Sequence, residues 1–158
     1  MEGVRQAQRD DSERCAAICM RAVNELDQMR GGTMFARRET GLVAKALSRP
    51  GGLDRLLSDP RRVVLVGTLD DVVIALAVGR VDDVGEVSVG VVDALYVEPE
   101  ARGVGVGREL IETLTSSFLA HGCVGVDAAA LPGDRSSKNF FEAAGFKARL
   151  ITMYRPIG

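Results

Sequence analysis

Apolar residues recur at two different spacings along the chain, and the change comes near Pro60. Before Pro60, apolar positions return every three to four residues, which is the spacing of one face of a helix. The elements predicted there are a strand at 3–8, helices at 12–29 and 34–48, and a helical turn at 53–57. After Pro60, runs rich in Val favour strands at 63–67, 72–81 and 86–97, with tight turns at 70–71 and 82–85.

The last third of the chain predicts a strand-helix-strand unit. A glycine-rich turn at 102–107 leads into a helix that ends near Gly122. The elements predicted after it are a strand at 123–130, a helix at 134–144 and a strand at 146–154. The order is β-α-α-β-β-β-α-β-α-β. Antiparallel hairpins followed by such a unit predict an α/β (α+β) fold with a mixed, mostly antiparallel, twisted sheet.

Length and charge restrict the class of protein. A chain of 158 residues is the size of one domain, and 46% hydrophobic residues are enough to build its core. Because 20 Lys and Arg stand against 22 Asp and Glu, we expect neither a nucleic-acid nor a membrane partner. Residues 1–11 lack the apolar run of a signal peptide, so a soluble, cytoplasmic protein is expected. Three scattered Cys and a single His predict no disulfide framework and no metal site.

Three alternating glycines, Gly103, Gly105 and Gly107, stand between the strand at 86–97 and the following helix. Glycines let successive backbone N–H groups point into one concavity, and a helix N-terminus adds partial positive charge. The pattern therefore indicates an anion site that suits a phosphate. The turn lacks the Lys-Ser/Thr pair of a triphosphate-binding loop, and Arg108 stands where a dinucleotide fingerprint needs glycine.

Two motifs carry a resemblance to a known family. The first, Arg102-x-x-Gly105-x-Gly107 with Leu95-Tyr96-Val97 and Pro99 before it, resembles the acetyl-CoA signature of the GNAT acetyltransferases. The second, a short helix within 134–146 that ends in Gly145-Phe146, looks like the second motif of the same family. The resemblance extends from about residue 62 to the C-terminus. It implies the GNAT fold, with about six to seven strands and about four helices, in one acetyltransferase domain over 1–158.

The resemblance also implies a function. It indicates an N-acetyltransferase that moves an acetyl group from acetyl-CoA, its co-substrate, to a primary amine of a small molecule or peptide by direct attack. Residues 61–158 would form the acetyl-CoA-binding core and residues 1–60 the substrate side. Homodimers are common in the family. Two alternatives stay open: a catalytically weak or inactive acyl-CoA-binding sensor or interaction module, and an enzyme for a longer acyl-CoA.

The family places the cofactor along the strand at 86–97 and the glycine turn. Backbone amides of the turn would hold the CoA pyrophosphate, and the end of the strand would pair with the pantetheine arm where the two parallel strands part. The Val97 N–H would polarise the thioester carbonyl as an oxyanion donor. The cofactor-binding residues implied by the resemblance are Leu95, Tyr96, Val97, Arg102, Gly103, Val104, Gly105, Val106, Gly107, Arg108, Asp134, Ser137 and Phe141.

Asp93 is the candidate for handling the amine, either as a base or as a group that binds it. Strict alternation places it on the apolar face shared by Val91 and Leu95, where a carboxylate should be desolvated and its pKa raised. It also precedes Val97 by four residues, where several amine-acetylating members of the family carry an acid. A bulge that turns Asp93 outward, or an Arg paired with it, would instead make the residue structural.

The second motif lacks the residue that would donate a proton to the leaving group. Many members of the family have a Tyr in the second motif that protonates the departing thiolate, and Phe141 stands at the matching position. Ser137, Tyr96 or a water would be substitutes, and nothing in the sequence chooses between them. Asp134 stands where the family often has an Asn that touches pantetheine. The alternative is that Asp134 only caps the N-terminus of its helix. For Asp127 we expect an ion pair with an Arg.

Overall fold

The computed structural model describes residues 2–158, and Met1 lies outside it. Five strands form one sheet in chain order; the first four are antiparallel, and the fifth runs parallel to the fourth. The strands are β1 (Glu2–Gln6), β2 (Arg62–Leu69), β3 (Val72–Val84), β4 (Val87–Val97) and β5 (Cys123–Ala128). The α-helices are α1 (Ser12–Asp27), α2 (Gly32–Arg38), α3 (Thr40–Leu47), α4 (Gly52–Ser58), α5 (Val106–Ala120) and α6 (Arg135–Ala143).

The sheet is covered by helices on both faces. Helix α1 buries Cys15, Ile18 and Cys19 against one face, together with α3 and α4. Helix α5 buries Leu110, Leu114 and Phe118 against the other face. Its close approach depends on a glycine, because a Cβ at Gly90 of β4 would lie 2.3 Å from the Phe118 ring. The two layers position the end of β4 between the N-terminal helices and α5.

The predicted fold class is confirmed, with differences in the number of elements. The described residues form five strands instead of six to seven, and six α-helices instead of about four. The helix predicted at 34–48 is two helices, α2 and α3, which meet at Glu39. The turn predicted at 70–71 is present, and both aspartates adopt positive φ angles of 48° and 64°, as tight hairpins require. No helix within residues 2–158 has the length and apolar character to cross a membrane.

The strand predicted at 146–154 is wrong, because these residues join no sheet. A strand needs a partner for its backbone groups as well as a suitable composition. Here the segment contacts β5 through a side chain, since the Arg149 Nε donates to an Asp127 carboxylate oxygen at 2.8 Å. That ion pair confirms the expectation for Asp127. The large apolar side chains exposed in the segment and after it are Leu150, Ile151, Met153, Tyr154 and Ile157.

The alternation predicted for the strand at 86–97 is also wrong, because β4 contains a bulge at Asp93. Val78 of β3 pairs with Ala94 and Gly79 pairs with Val92, so Asp93 is the extra residue on β4. Val92 and Leu95, an odd number of positions apart, therefore both face the α5 layer. A bulge shifts the phase of a strand by one residue, which a pattern of apolar positions does not reveal.

Candidate functional site

A cavity opens where the two parallel strands separate. β4 and β5 pair only as far as Val92 and Ala128, whereas β4 continues to Val97. The gap leads into a cavity of about 510 Å³. One wall consists of the end of β4, the turn at 102–108, the start of α5, and α6; we call it the cofactor wall. The facing wall comes from α1, α2 and the start of α3; we call it the acceptor wall.

The free edge of β4 points backbone groups into the gap. The Glu98 N–H donates to the Ile74 carbonyl on β3 at 3.0 Å, on the far side of β4 from β5. Because N–H groups alternate in direction along a strand, the Val97 N–H points away from β3 and towards the gap. The Leu95 N–H, two residues earlier, points the same way. By the same rule the backbone of Tyr96 faces β3, with which it pairs opposite Leu76.

The glycine turn adopts a backbone conformation that favours glycine at two of its three glycine positions. Gly103 and Gly105 have φ angles of +89° and +91°, a region that side-chain-bearing residues rarely occupy. Gly105 is the residue before α5, and the fully buried Val106 anchors the first turn of that helix. The turn therefore presents backbone to the cavity beside a helix N-terminus, which is the geometry of an anion site.

Helix α6 completes the cofactor wall. Asp134 is its N-cap and accepts from the Ser137 N–H at 3.2 Å and from the Ser137 hydroxyl at 2.6 Å. Both residues line the cavity, as does Phe141, whose ring packs edge-on against Phe140 and Phe146. Of the thirteen residues proposed for the cofactor, all line the cavity except Val104, which is exposed outside it.

Arg102 connects the two walls. Its Nε donates to the Val97 carbonyl at 2.9 Å, its guanidinium pairs with Glu25 of α1 at 3.2 Å, and it lies over the Tyr96 ring. The buried Tyr96 hydroxyl has no hydrogen-bond partner within residues 2–158. Burial and, after it, the neighbouring Glu25 carboxylate raise the pKa of Tyr96. Glu25 was not predicted, since in the sequence it is one of several polar residues on α1.

Asp93 lines the cavity at the β4 bulge and is held by two arginines. Arg62 donates to its carboxylate at 2.8 Å, and Arg80 donates to the other oxygen. Burial raises the pKa of Asp93, while Arg80 and Arg62 act to lower it. The Thr40 hydroxyl of α3 donates to its backbone carbonyl at 3.3 Å. Both structural features left open by the sequence, a bulge and an Arg partner, are present.

The charged side chains of the cavity divide into paired and unpaired ones. Glu25 pairs with Arg102, Asp93 pairs with two arginines, and Asp134 caps α6. Across the described chain, the side chains of Arg108 and Glu39 take no ion pair or hydrogen bond, although both line the cavity. Arg108 belongs to the cofactor wall and Glu39 to the acceptor wall.

The remaining titratable residues lie outside the cavity. The ring nitrogens of His121, the C-cap of α5, lie 2.7 Å from the Ser117 carbonyl oxygen and 2.9 Å from that of Pro60. Cys15, Cys19 and Cys123 are buried free thiols. In the part of the chain that the structure covers, no three His, Cys, Asp or Glu side chains are placed to hold a metal ion.

Solved structures share this fold at low sequence identity. AAC(6')-Iy in complex with the bisubstrate analog CoA-S-monomethyl-acetylneamine is 18% identical, covers 100% of this chain and 99% of its own, and has a TM-score of 0.71. For glucosamine-6-phosphate N-acetyltransferase from Arabidopsis thaliana the identity is 15%, the coverage 100% and 99%, and the TM-score 0.69. An aminoglycoside acetyltransferase from an uncultured soil metagenomic sample, in complex with sisomicin, gives 16%, 99% and 97%, and 0.70.

Sequence comparisons give the family directly. The comparison with curated proteins found no match. A family model described as Acetyltransferase (GNAT) family matches residues 23–146. The match includes the end of α1, both motifs and the whole cofactor wall, which is well over half of the chain. Together with the parted strands and the glycine turn before α5, it shows that the chain belongs to the GNAT acetyltransferase family.

Proposed function

We propose that the protein moves an acetyl group from acetyl-CoA to the primary amine of a small molecule or peptide. The observation that carries the proposal is the free edge of β4, whose Leu95 and Val97 N–H groups point into a gap that ends at the glycine turn. A single acetyltransferase domain over 1–158 would then have its cofactor core at 61–158 and its substrate side at 1–60. The bisubstrate analog bound to AAC(6')-Iy, which contains CoA, supports the cofactor assignment.

The residues fit acetyl-CoA along the whole cofactor wall. The backbone amides from Gly103 to Arg108 would hold the pyrophosphate, with the unpaired Arg108 guanidinium beside it. The exposed edge at Leu95 and Val97 would pair with the pantetheine arm as an added strand does. Asp134, Ser137 and Phe141 of α6 would form the opposite side of the channel.

The chain itself has to supply only a few catalytic groups. Bound acetyl-CoA supplies the thioester whose carbonyl carbon receives the amine. The Val97 N–H would donate to the carbonyl oxygen as negative charge develops there, which is the role of an oxyanion donor. A primary amine with a pKa near 10 must lose a proton before it attacks, so a proton acceptor or a water path is also needed.

For Asp93 we propose a positioning role at the bulge, with the role of base or amine-binding group as the alternative. Burial raises the pKa of Asp93, but two guanidiniums occupy both carboxylate oxygens, so the carboxylate is poorly placed to take a proton from an amine. The bulge that Asp93 forms starts the segment in which β4 leaves β5 and exposes its edge. The alternative predicts a pH profile that differs from that of a positioning residue.

A second candidate function is an acyl-CoA-binding module with weak or no catalysis. It is favoured by Phe141, which offers no proton where the family often has Tyr, and by Ser137, whose hydroxyl donates to Asp134. The thiolate of CoA, whose thiol has a pKa near 8.5 by analogy with cysteine, leaves without full protonation, so a slow enzyme is consistent with Phe141.

A homodimer is also proposed, supported by the open edge of β5 and the exposed apolar side chains after Arg149.

The test is isothermal titration with acetyl-CoA of the wild type, a Gly105→Glu variant and a Gly85→Glu variant. Both glycines have positive φ angles and open space around them, so both substitutions place the same charged side chain at a position that favours glycine. Only Gly105 lies in the cavity. We expect micromolar binding by the wild type and by Gly85→Glu, and a loss of about 100-fold or more in Gly105→Glu because an anion occupies the phosphate site.

Each outcome is informative. Failure of the folded wild type to bind acetyl-CoA at millimolar concentration would remove the proposed function and leave the fold. Equal binding by all three proteins would place the cofactor elsewhere. Binding without release of free CoA in the presence of amines would favour the acyl-CoA-binding module.

A further inference from the structure

The acceptor wall differs in composition from the cofactor wall. Its charged side chains in the cavity are Glu25 and Glu39, and no Lys or Arg among the described residues of α1, α2 and α3 lines it. The remaining side chains of this wall in the cavity are Ala22, Leu26, Met29, Phe35 and Thr40. The wall therefore offers negative charge and apolar surface, and the guanidinium beside it, that of Arg102, is already paired with Glu25.

The unpaired charged side chains of the cavity also indicate a cationic ligand at the acceptor wall. Arg108 on the cofactor wall suits the phosphates of CoA, so it is accounted for by the proposed function. Glu39 on the acceptor wall has no such assignment, and no described side chain pairs with it. A carboxylate without a partner at a ligand cavity is a candidate contact for a cation.

The buried hydroxyl of Tyr96, on β4 of the cofactor wall, is a second observation beside the acceptor wall. Tyr96 is only 8% exposed and lines the cavity, and its hydroxyl makes no well-aligned hydrogen bond within the described chain, although the Glu25 carboxylate lies next to it. Buried polar atoms of this kind are usually satisfied by water or a ligand. An ammonium that enters beside Glu25 would supply a donor to that oxygen and would share the carboxylate with Arg102.

We propose that the acceptor is a cationic amine with an apolar body and no anionic group, and that Glu39, assisted by Glu25, receives its ammonium. The inference rests on the proposed function, since it names the acceptor class of the same site. Phe35, Met29 and Leu26 would pack against the apolar body. A carboxylate or phosphate on the acceptor would meet the unpaired Glu39, and the Arg102 guanidinium is already occupied by Glu25, so such amines are disfavoured.

The first experiment compares four amines at one pH, with release of free CoA as the readout. Phenylalaninamide and phenylalanine share a side chain and a branch point and differ in a carboxylate. Because the amide also lowers the pKa of the amine, kcat/KM is divided by the fraction of free amine before the two are compared. Phenethylamine and ethanolamine differ in the apolar body. We expect kcat/KM for phenylalaninamide to exceed that for phenylalanine at least about 10-fold, and phenethylamine to exceed ethanolamine by a similar factor.

The second experiment uses Glu39→Gln, with Glu112→Gln as the matched control. Glu112 is exposed on α5 and does not line the cavity. We expect Glu39→Gln to raise KM for phenethylamine about 10-fold with kcat changed less than about twofold. The ratio of kcat/KM for phenylalaninamide to that for phenylalanine should also fall towards one. Glu39→Asp should restore part of the lost affinity. Glu112→Gln should match the wild type in both parameters.

The results separate this inference from the proposed function, because acetyl-CoA binding is titrated in every protein. If acetyl-CoA does not bind, the proposed function fails and the inference fails with it. If acetyl-CoA binds and phenylalanine is acetylated as well as phenylalaninamide, the inference is overturned and the proposed function stands. The same holds if Glu39→Gln leaves KM unchanged. If acetyl-CoA binds and none of the four amines releases CoA, the inference is overturned and the acyl-CoA-binding module is favoured over the enzyme.

Discussion

The two walls of the cavity are built from different parts of the chain. On the cofactor wall the groups aimed at the ligand are mainly backbone: the edge of β4 at Leu95 and Val97, and the turn through Gly103 and Gly105. On the acceptor wall the groups are side chains, among them Glu25, Glu39 and Phe35. The first wall would bind a cofactor of fixed shape, and the second would select an acceptor.

This difference explains why one wall is readable in the sequence. A turn with positive φ angles accepts few residues besides glycine, so its function leaves a pattern of glycines at fixed spacing. A helix surface tolerates many side chains at each position, so Glu25 and Glu39 look like ordinary polar residues of α1 and the α2–α3 junction. The acceptor wall becomes visible only when the fold brings it to the cavity.

The largest effect on stability is expected where the two walls meet, at Asp93. Asp93→Asn leaves Arg62 and Arg80 adjacent without their carboxylate, although both arginines remain about one third exposed. We expect the free energy of unfolding to fall by about 2 kcal/mol in urea denaturation, below the loss for a fully buried pair because water screens the arginines. Asp82→Asn is the control, since Asp82 also pairs with Arg80 but is more exposed and should cost under about 1 kcal/mol.

Kinetics of the same variant decide between the two roles of Asp93. A positioning residue that shapes the strand edge should leave the acidic limb of the kcat/KM pH profile in place. A general base should lose about 10²-fold or more in kcat and flatten that limb. The second result would contradict the positioning role and restore Asp93 as the base.

Asp93 also shows where sequence patterns stop being informative. The two hairpins, the strand-helix-strand unit and the glycine turn follow from local signals, and the structure has them all. The bulge does not follow from a local signal. The extra residue in β4 shows only in how β4 pairs with β3, a strand some 15 residues earlier in the chain. The arginines that hold Asp93 come from β2 and β3, and their roles are equally hidden in a linear pattern.

The strand predicted for the C-terminal segment is absent for a related reason. Residues 146–154 have the composition of a strand, and the helix before them ends at Ala143, just before the predicted Gly145. Whether such a segment becomes a strand depends on a neighbour with free backbone groups in register, which composition does not encode. The segment at 34–48 divides into α2 and α3 at Glu39, where the backbone leaves the helical region, and both helices contact α1.

A smaller effect is expected from adding one side-chain donor to the cofactor wall. Phe141→Tyr places a phenol at the cavity position where the family often has one, while keeping the edge-on packing with Phe140 and Phe146. If protonation of the thiolate limits turnover, kcat should rise about 10-fold at neutral pH. The gain should disappear as pH approaches about 10, where a tyrosine phenol loses its proton.

Phe146→Tyr is the matched control for that substitution. Phe146 packs against Phe141 but does not line the cavity, so a hydroxyl there should leave kcat unchanged. No change in kcat for Phe141→Tyr, with acetyl-CoA affinity retained, would mean that another group or water already protonates the thiolate, or that a different step limits turnover.

The least perturbing test asks whether the acceptor wall opens independently of the cofactor wall. Burial raises the pKa of Cys15 and of Cys19 on α1 to about 12. At pH 8 only about one thiol in ten thousand would be ionised, so a thiol reagent should label neither residue in the folded protein. Because the unfolded thiols have a pKa near 9, stability should also fall as pH rises from about 9 towards 12.

Labelling rates at increasing urea then compare the two layers of the fold. With single-cysteine variants, Cys15 and Cys19 report on α1, and Cys123 reports on β5 beneath α5. We expect Cys15 and Cys19 to react only as fast as the whole domain unfolds, because their side chains lie in the shared core against the sheet. Reaction of either one well before global unfolding would show that α1 separates from the sheet on its own. The acceptor wall would then be a mobile element that closes over a preformed cofactor site, and Glu39 would be expected to meet its amine only in the closed form.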